Sequence, residues 1–133
     1  MPDKVLVDTS VWIEFFRKRE SSISLRLREY VKLNQTCYTG PIAVELYQGA
    51  KTEREIHVID RLLETIDYVE INREHYFLAG RTSQMAARRG KIFSTIDMII
   101  AVLAHAENLL LFSLDHHFQQ IAQFLPGLRV EPT

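Results

Sequence analysis

The sequence predicts an α/β fold, a three-layer α/β/α domain around a central, mainly parallel sheet. Two observations carry this expectation. Short apolar runs suited to strands alternate along the chain with longer segments of helical periodicity. Two of the runs, Val5-Leu6-Val7 and Leu109 to Phe112, are apolar at every position, as strands covered on both faces are. Strands joined by helices pair in parallel through right-handed crossovers, which place helices on both faces of the sheet.

The elements follow in order. Val5-Leu6-Val7 is a buried strand. From Val11 to about Arg19 apolar and charged residues repeat at helical spacing, with Thr9 or Ser10 as N-cap. Ser22 is placed to cap a second helix whose stripe is Ile23, Leu27, Tyr30 and Val31. Cys37-Tyr38-Thr39 reads as a strand closed by Gly40-Pro41, and Pro41 suits the first turn of a helix because its missing N–H is unpaired there anyway. Ile56, Ile59, Leu62, Leu63 and Ile66 mark a helix over Glu53 to Thr65. Tyr68 to Ile71 alternates as a strand. Asn72 caps a helix running to Arg89, ended by Gly90. Ser94 or Thr95 opens a helix through His105, apolar nearly all round and therefore the most buried. Leu109 to Phe112 is a central strand, and a short helix covers His116 to Ala122.

At 133 residues the chain is long enough for one core and too short for two, so a single domain over 1–133 is expected. Acidic and basic side chains number 17 and 16, so no net charge advertises a nucleic-acid or membrane partner; local clustering decides that instead. One cysteine, Cys37, excludes an intramolecular disulfide framework and fits a reducing compartment. The N-terminal segment lacks a secretory apolar run and no stretch is apolar enough to span a bilayer, which makes the cytoplasm the expected location.

In an open parallel sheet, ligands bind beyond the carboxyl ends of the strands. Four acids fall there. Asp8 follows the first strand and Asp115 lies three residues past Phe112, while Glu45 and Asp97 sit one turn or less inside helices, flanked by core residues. Burying an unpaired carboxylate costs several kcal/mol, so something must compensate such acids. Taken singly, Asp8, Asp97 and Asp115 each have a helix-cap explanation, Asp97 by its capping-box spacing from Ser94. Glu45 has none. Together, four carboxylates from four segments at one sheet edge form an oxygen-only cluster of the kind that favours Mg²⁺ or Mn²⁺.

The motifs around these acids resemble those of PIN-domain ribonucleases, especially the VapC-type toxins of prokaryotic toxin–antitoxin pairs. The resemblance rests on Val7-Asp8-Thr9-Ser10-Val11-Trp12-Ile13, Pro41-Ile42-Ala43-Val44-Glu45-Leu46, Ser94-Thr95-Ile96-Asp97-Met98-Ile99-Ile100-Ala101 and Leu111-Phe112-Ser113-Leu114-Asp115-His116-His117-Phe118, in that order. The last motif commonly carries threonine where this chain has Ser113. The resemblance implies that Asp8, Glu45, Asp97 and Asp115 bind the divalent metal and form the catalytic set. It implies that the Ser10 and Ser113 hydroxyls hold carboxylates or a water in place. It further implies endoribonuclease activity on structured RNA such as tRNA or rRNA, homodimerisation, and a cognate antitoxin whose tail covers the acidic pocket. Phosphodiester hydrolysis suits these residues, with Asp8 and Asp97 as inner ligands and Glu45 or Asp115 orienting or deprotonating the attacking water; one or two metals both fit.

Among the basic clusters, Arg88, Arg89 and Lys91 are the expected RNA contact, because their turn leads towards Asp97. Solvated helix faces explain the others, Arg17-Lys18-Arg19 included. No pair of the five histidines has zinc-site spacing, and at most one of His116 and His117 can face the pocket. A receiver-like module would need paired acids at the first strand and a late lysine, and a haloacid-type phosphatase would need Asp-x-Asp; both are missing. A catalytically silent PIN-like domain that binds a partner or RNA is the remaining alternative, and four intact acids argue against decay.

Overall fold

The computed structural model describes residues 3–133. Five strands, β1 (Val5–Val7), β2 (Thr36–Tyr38), β3 (Asp67–Tyr68), β4 (Leu110–Phe112) and β5 (Arg129–Val130), form one sheet in the order β3-β2-β1-β4-β5. Every pairing is parallel, with Val5 opposite both Thr36 and Leu110. Seven helices supply the connections: α1 (Thr9–Arg17), α2 (Ser22–Lys32), α3 (Gly40–Gly49), α4 (Glu53–Thr65), α5 (Arg73–Arg88), α6 (Thr95–Ala106) and α7 (His117–Ile121). The chain builds outward from β1 through β2 to β3, then returns to the other side of β1 for β4 and β5. The strand order therefore reverses between β1 and β4, and the crevice at their carboxyl ends is the topological switch point.

The core explains why β1 and β4 lie centrally. Val5, Leu6, Val7, Leu111 and Phe112 are buried, and α6 covers them with an unbroken buried run from Met98 to Ala104. Burying apolar surface gains about 25 cal/mol per Å², which drives such all-apolar segments to the centre of the sheet. Asn72 accepts the His75 amide through its side chain and His75 Nδ1 accepts the Asn72 amide, a reciprocal box that starts α5. The helix ends at Gly90, which adopts φ +77°. Lys91 N–H donates to Ala86 O and Gly90 N–H to Ala87 O, both at 2.9 Å, the paired bonds of a Schellman ending.

Several boundaries differ from the sequence reading. The cap of α2 is Ser21 rather than Ser22, with Ser21 Oγ accepting the Ser24 amide at 3.1 Å. Val31 is exposed, and Ser24 is buried on the inner face of α2 instead. β3 is Asp67–Tyr68 rather than Tyr68 to Ile71: the Val69 amide still donates to Tyr38 O, but Thr39 then turns into α3 and the ladder has no further partner. β2 is shifted back by one residue for the same reason. β5 has no signature in the sequence, because two half-buried residues show no periodicity.

Candidate active site

Asp8 leaves β1 at the switch point and occupies the N-cap position of α1, yet its side chain makes no cap bond. Its Oδ2 instead accepts two hydroxyls, Ser10 Oγ at 3.0 Å and Ser113 Oγ at 2.8 Å. Each hydroxyl has one proton, and both are spent on this carboxylate. Their lone pairs take backbone amides of the loop after β4: Ser10 Oγ accepts Leu114 N–H and Ser113 Oγ accepts Asp115 N–H, each at 3.0 Å. Asp8, only 8% exposed, is thus stitched to the loop that delivers Asp115.

Asp97 sits in the first turn of α6, where Ser94 Oγ accepts its amide at 3.1 Å. Burial pushes its carboxyl above the usual carboxylate range; Ser94 opposes the shift, the charges of Asp115 and Asp8 add to it, and His117 opposes it. Asp115 Oδ1 accepts the His117 amide at 2.9 Å at the start of α7. The His117 ring turns back onto both acids, with Nδ1 3.2 Å from Asp115 Oδ1 and 3.8 Å from Asp97 Oδ2. One donor atom from each of Asp97, Asp115 and His117 lies within 4.8 Å of the other two.

Asp8 and Glu45 lie outside that close group of three donors. Asp8 joins it through the Ser113–Asp115 bond and through its field at Asp97. Glu45, half-buried on α3, accepts Thr9 Oγ1 at 2.8 Å, so it is tied to the residue next to Asp8. It also lines a cleft with Ile13, Phe16, Arg17, Leu46 and Arg54. Among the described residues no lysine or arginine forms an ion pair with Asp8, Glu45, Asp97 or Asp115. A set of carboxylates at least half-buried and without lysine or arginine partners is the donor chemistry that a hard divalent cation matches. The acids present therefore fit a metal ion.

Arg88, Arg89 and Lys91 are exposed. Arg88 and Arg89 line a separate cleft with Met85, Gln123, Phe124 and Pro126, where the Arg89 guanidinium lies 5.9 Å from the Phe124 ring centre. Two further residues contact the acids, Thr9 and His117. In the sequence Thr9 marks only a possible cap, and His117 is one of an adjacent pair. The Asp115-x-His117 spacing held the signal for the second: two residues at a helix start bring a side chain and an amide back to the same acid.

A parallel α/β sheet with acids gathered at its switch point defines a class of α/β domain with an acidic pocket at the sheet's carboxyl edge. Within that class the chain belongs to the PIN domain family, whose model matches residues 5–123. It is similar to Ribonuclease VapC1 of Methanocaldococcus jannaschii, 29% identical over 128 residues that cover 96% of this chain and 86% of that one. Its fold is similar to that of a DNA-bound VapBC from Salmonella typhimurium, at a TM-score of 0.79 and 20% identity, covering 98% of both chains. It is also similar to a chain of a toxin-antitoxin complex from Klebsiella pneumoniae, at a TM-score of 0.71, 20% identity and 97% coverage of each. No helix among the described residues is long and apolar enough to cross a membrane.

Proposed function

We propose that the protein is a metal-dependent endoribonuclease toxin that hydrolyses phosphodiester bonds in cellular RNA, with tRNA or rRNA as substrate, and is neutralised by a cognate antitoxin. The observation that carries the reading is the gathering of Asp97 and Asp115 beside Asp8 at the β1/β4 switch point without a lysine or arginine partner. A ribonuclease among its relatives and a toxin-antitoxin complex among structures of its fold support the substrate and the antitoxin. The chain acts as a single PIN domain over residues 1–133, in the cytoplasm, as a homodimer or within a toxin–antitoxin assembly.

The catalytic acids are Asp8, Glu45, Asp97 and Asp115, and these hold Mg²⁺, with Mn²⁺ as substitute. Bound there, the cation supplies positive charge at the scissile phosphate and acidifies water. Ser10 and Ser113 fix Asp8 by engaging Oδ2, which leaves its other oxygen for the cation. Glu45, oriented by Thr9, and Asp115 are the carboxylates available to orient the attacking water or take its proton. Arg88, Arg89 and Lys91 track the RNA backbone through salt-dependent contacts.

The test is cleavage of total RNA by purified protein in Mg²⁺, Mn²⁺ or EDTA, beside Asp8→Asn. Discrete products that require metal and disappear in the variant are expected. Folded, antitoxin-free protein giving no products under either metal would overturn the nuclease reading in favour of a partner-binding domain. Products that persist in Asp8→Asn would show the site to lie elsewhere.

A further inference from the structure

We propose that His117 is a nitrogen ligand of the divalent cation at this site, joining Asp97 and Asp115 and strengthening the hold on Mn²⁺ relative to carboxylates alone. The inference rests on the metal-dependent reading above and adds to it a residue type that an all-carboxylate set lacks. Two independent features of the geometry carry it.

The first is spacing. Around an ion with bonds of about 2.1 Å, adjacent ligands lie about 3.0 Å apart and opposed ligands about 4.2 Å apart. His117 Nδ1 stands 3.2 Å from Asp115 Oδ1 and 3.8 Å from Asp97 Oδ2, and the donors of all three residues fall within 4.8 Å of one another. These are separations that one ion can span with little side-chain movement. The second is the way the ring is held. The His117 amide donates to Asp115 Oδ1, and the next residue, Phe118, is fully buried and anchors α7. The backbone is therefore fixed at the point where the imidazole reaches the two acids. The ring itself, with its side chain 61% exposed, stands at the rim with its outer edge in water. In the Nε2–H tautomer, Nδ1 presents its lone pair to the acids. His116, one position earlier, forms no ion pair among the described residues and serves as the internal control.

Metal preference follows from the donor. Mg²⁺ favours oxygen ligands and retains its water, whereas imidazole suits transition metals, and Mn²⁺ is the transition ion that also accepts a carboxylate-rich set. Pulsed electron paramagnetic resonance on the full chain with one equivalent of Mn²⁺ reads a directly bound ¹⁴N as echo modulation. We expect modulation in the wild type and in His116→Asn, and its loss in His117→Asn. Displacement by Mg²⁺ should require a larger excess in the wild type than in His117→Asn. Bound Mn²⁺ without nitrogen modulation in the wild type, or modulation surviving in His117→Asn, overturns this inference and leaves the metal reading standing. Failure of the wild type to retain Mn²⁺ overturns both.

Discussion

Ser113→Ala tests whether the Asp8 carboxylate depends on the hydroxyls that hold it. Ser113 is 3% exposed, and its Oγ donates to Asp8 Oδ2 at 2.8 Å while accepting the Asp115 amide at 3.0 Å. A hydrogen bond to a charged group contributes roughly 1.5–3 kcal/mol, and the buried acid has no water ready to replace it. The Asp115 amide lies beside a half-exposed residue where solvent can substitute, so it adds little. We take a loss of about 2 kcal/mol. At about 2.1 cal/mol/K per residue, 133 residues give an unfolding entropy of about 0.28 kcal/mol/K, so the midpoint falls by about 7 °C. Thermal unfolding at neutral pH in EDTA reads this without stabilisation by bound cation. Ser113→Thr keeps the hydroxyl and should lose less than half as much, while RNA cleavage should follow the same order. A midpoint for Ser113→Ala within about 1 °C of wild type would refute the reasoning, as would equal losses in the Ala and Thr variants.

Two further outcomes are expected. Because burial and neighbouring acids raise the Asp97 carboxyl, the folded chain holds that proton more tightly than the unfolded chain does. Metal-free stability therefore falls as pH rises from 3.8 through the raised value, and the penalty is complete above it. Asp97→Asn should melt higher than wild type at neutral pH in EDTA, with the gap closing below pH 3.8 and metal stabilising only the wild type; a variant that melts lower at neutral pH would contradict this. Burial pushes the Cys37 thiol up to about 12, so a thiol reagent at pH 8 should label it only as the chain unfolds. Prompt labelling of native protein would place the residue at the surface.

The sequence made the sheet's centre legible because its chemistry is extreme there. Val5-Leu6-Val7, Leu111-Phe112 and the run from Met98 to Ala104 have no stable place except a core, and the acids stood out against them. Strand edges were less legible. β3 stops at Tyr68 because its partner strand stops, a fact held by Thr39 and not by the Tyr68 to Ile71 alternation itself. At the site, local spacing offers Asp8 a cap role, but one of the two hydroxyls that claim its carboxylate comes from a residue 105 positions away. His117 was hidden for another reason. Its meaning depends on the direction in which α7 starts, which one-dimensional spacing narrows but does not fix.

The position of β1 between β2 and β4 bears on how the protein is made. A growing chain that has not yet reached Leu110 can pair β1 with β2 on one side only, and it lacks both Ser113 for Asp8 and Asp115 for the group around Asp97. β1 must wait for β4, which lies far along the chain from it. Long-range closure of this kind is slow relative to local helix formation. The full set of acids consequently cannot come together before Asp115 is made. A product ending between Asp97 and Phe112 carries Asp8, Glu45 and Asp97 but lacks Ser113 and Asp115, so the order of synthesis itself withholds the finished site until the loop after β4 has been made.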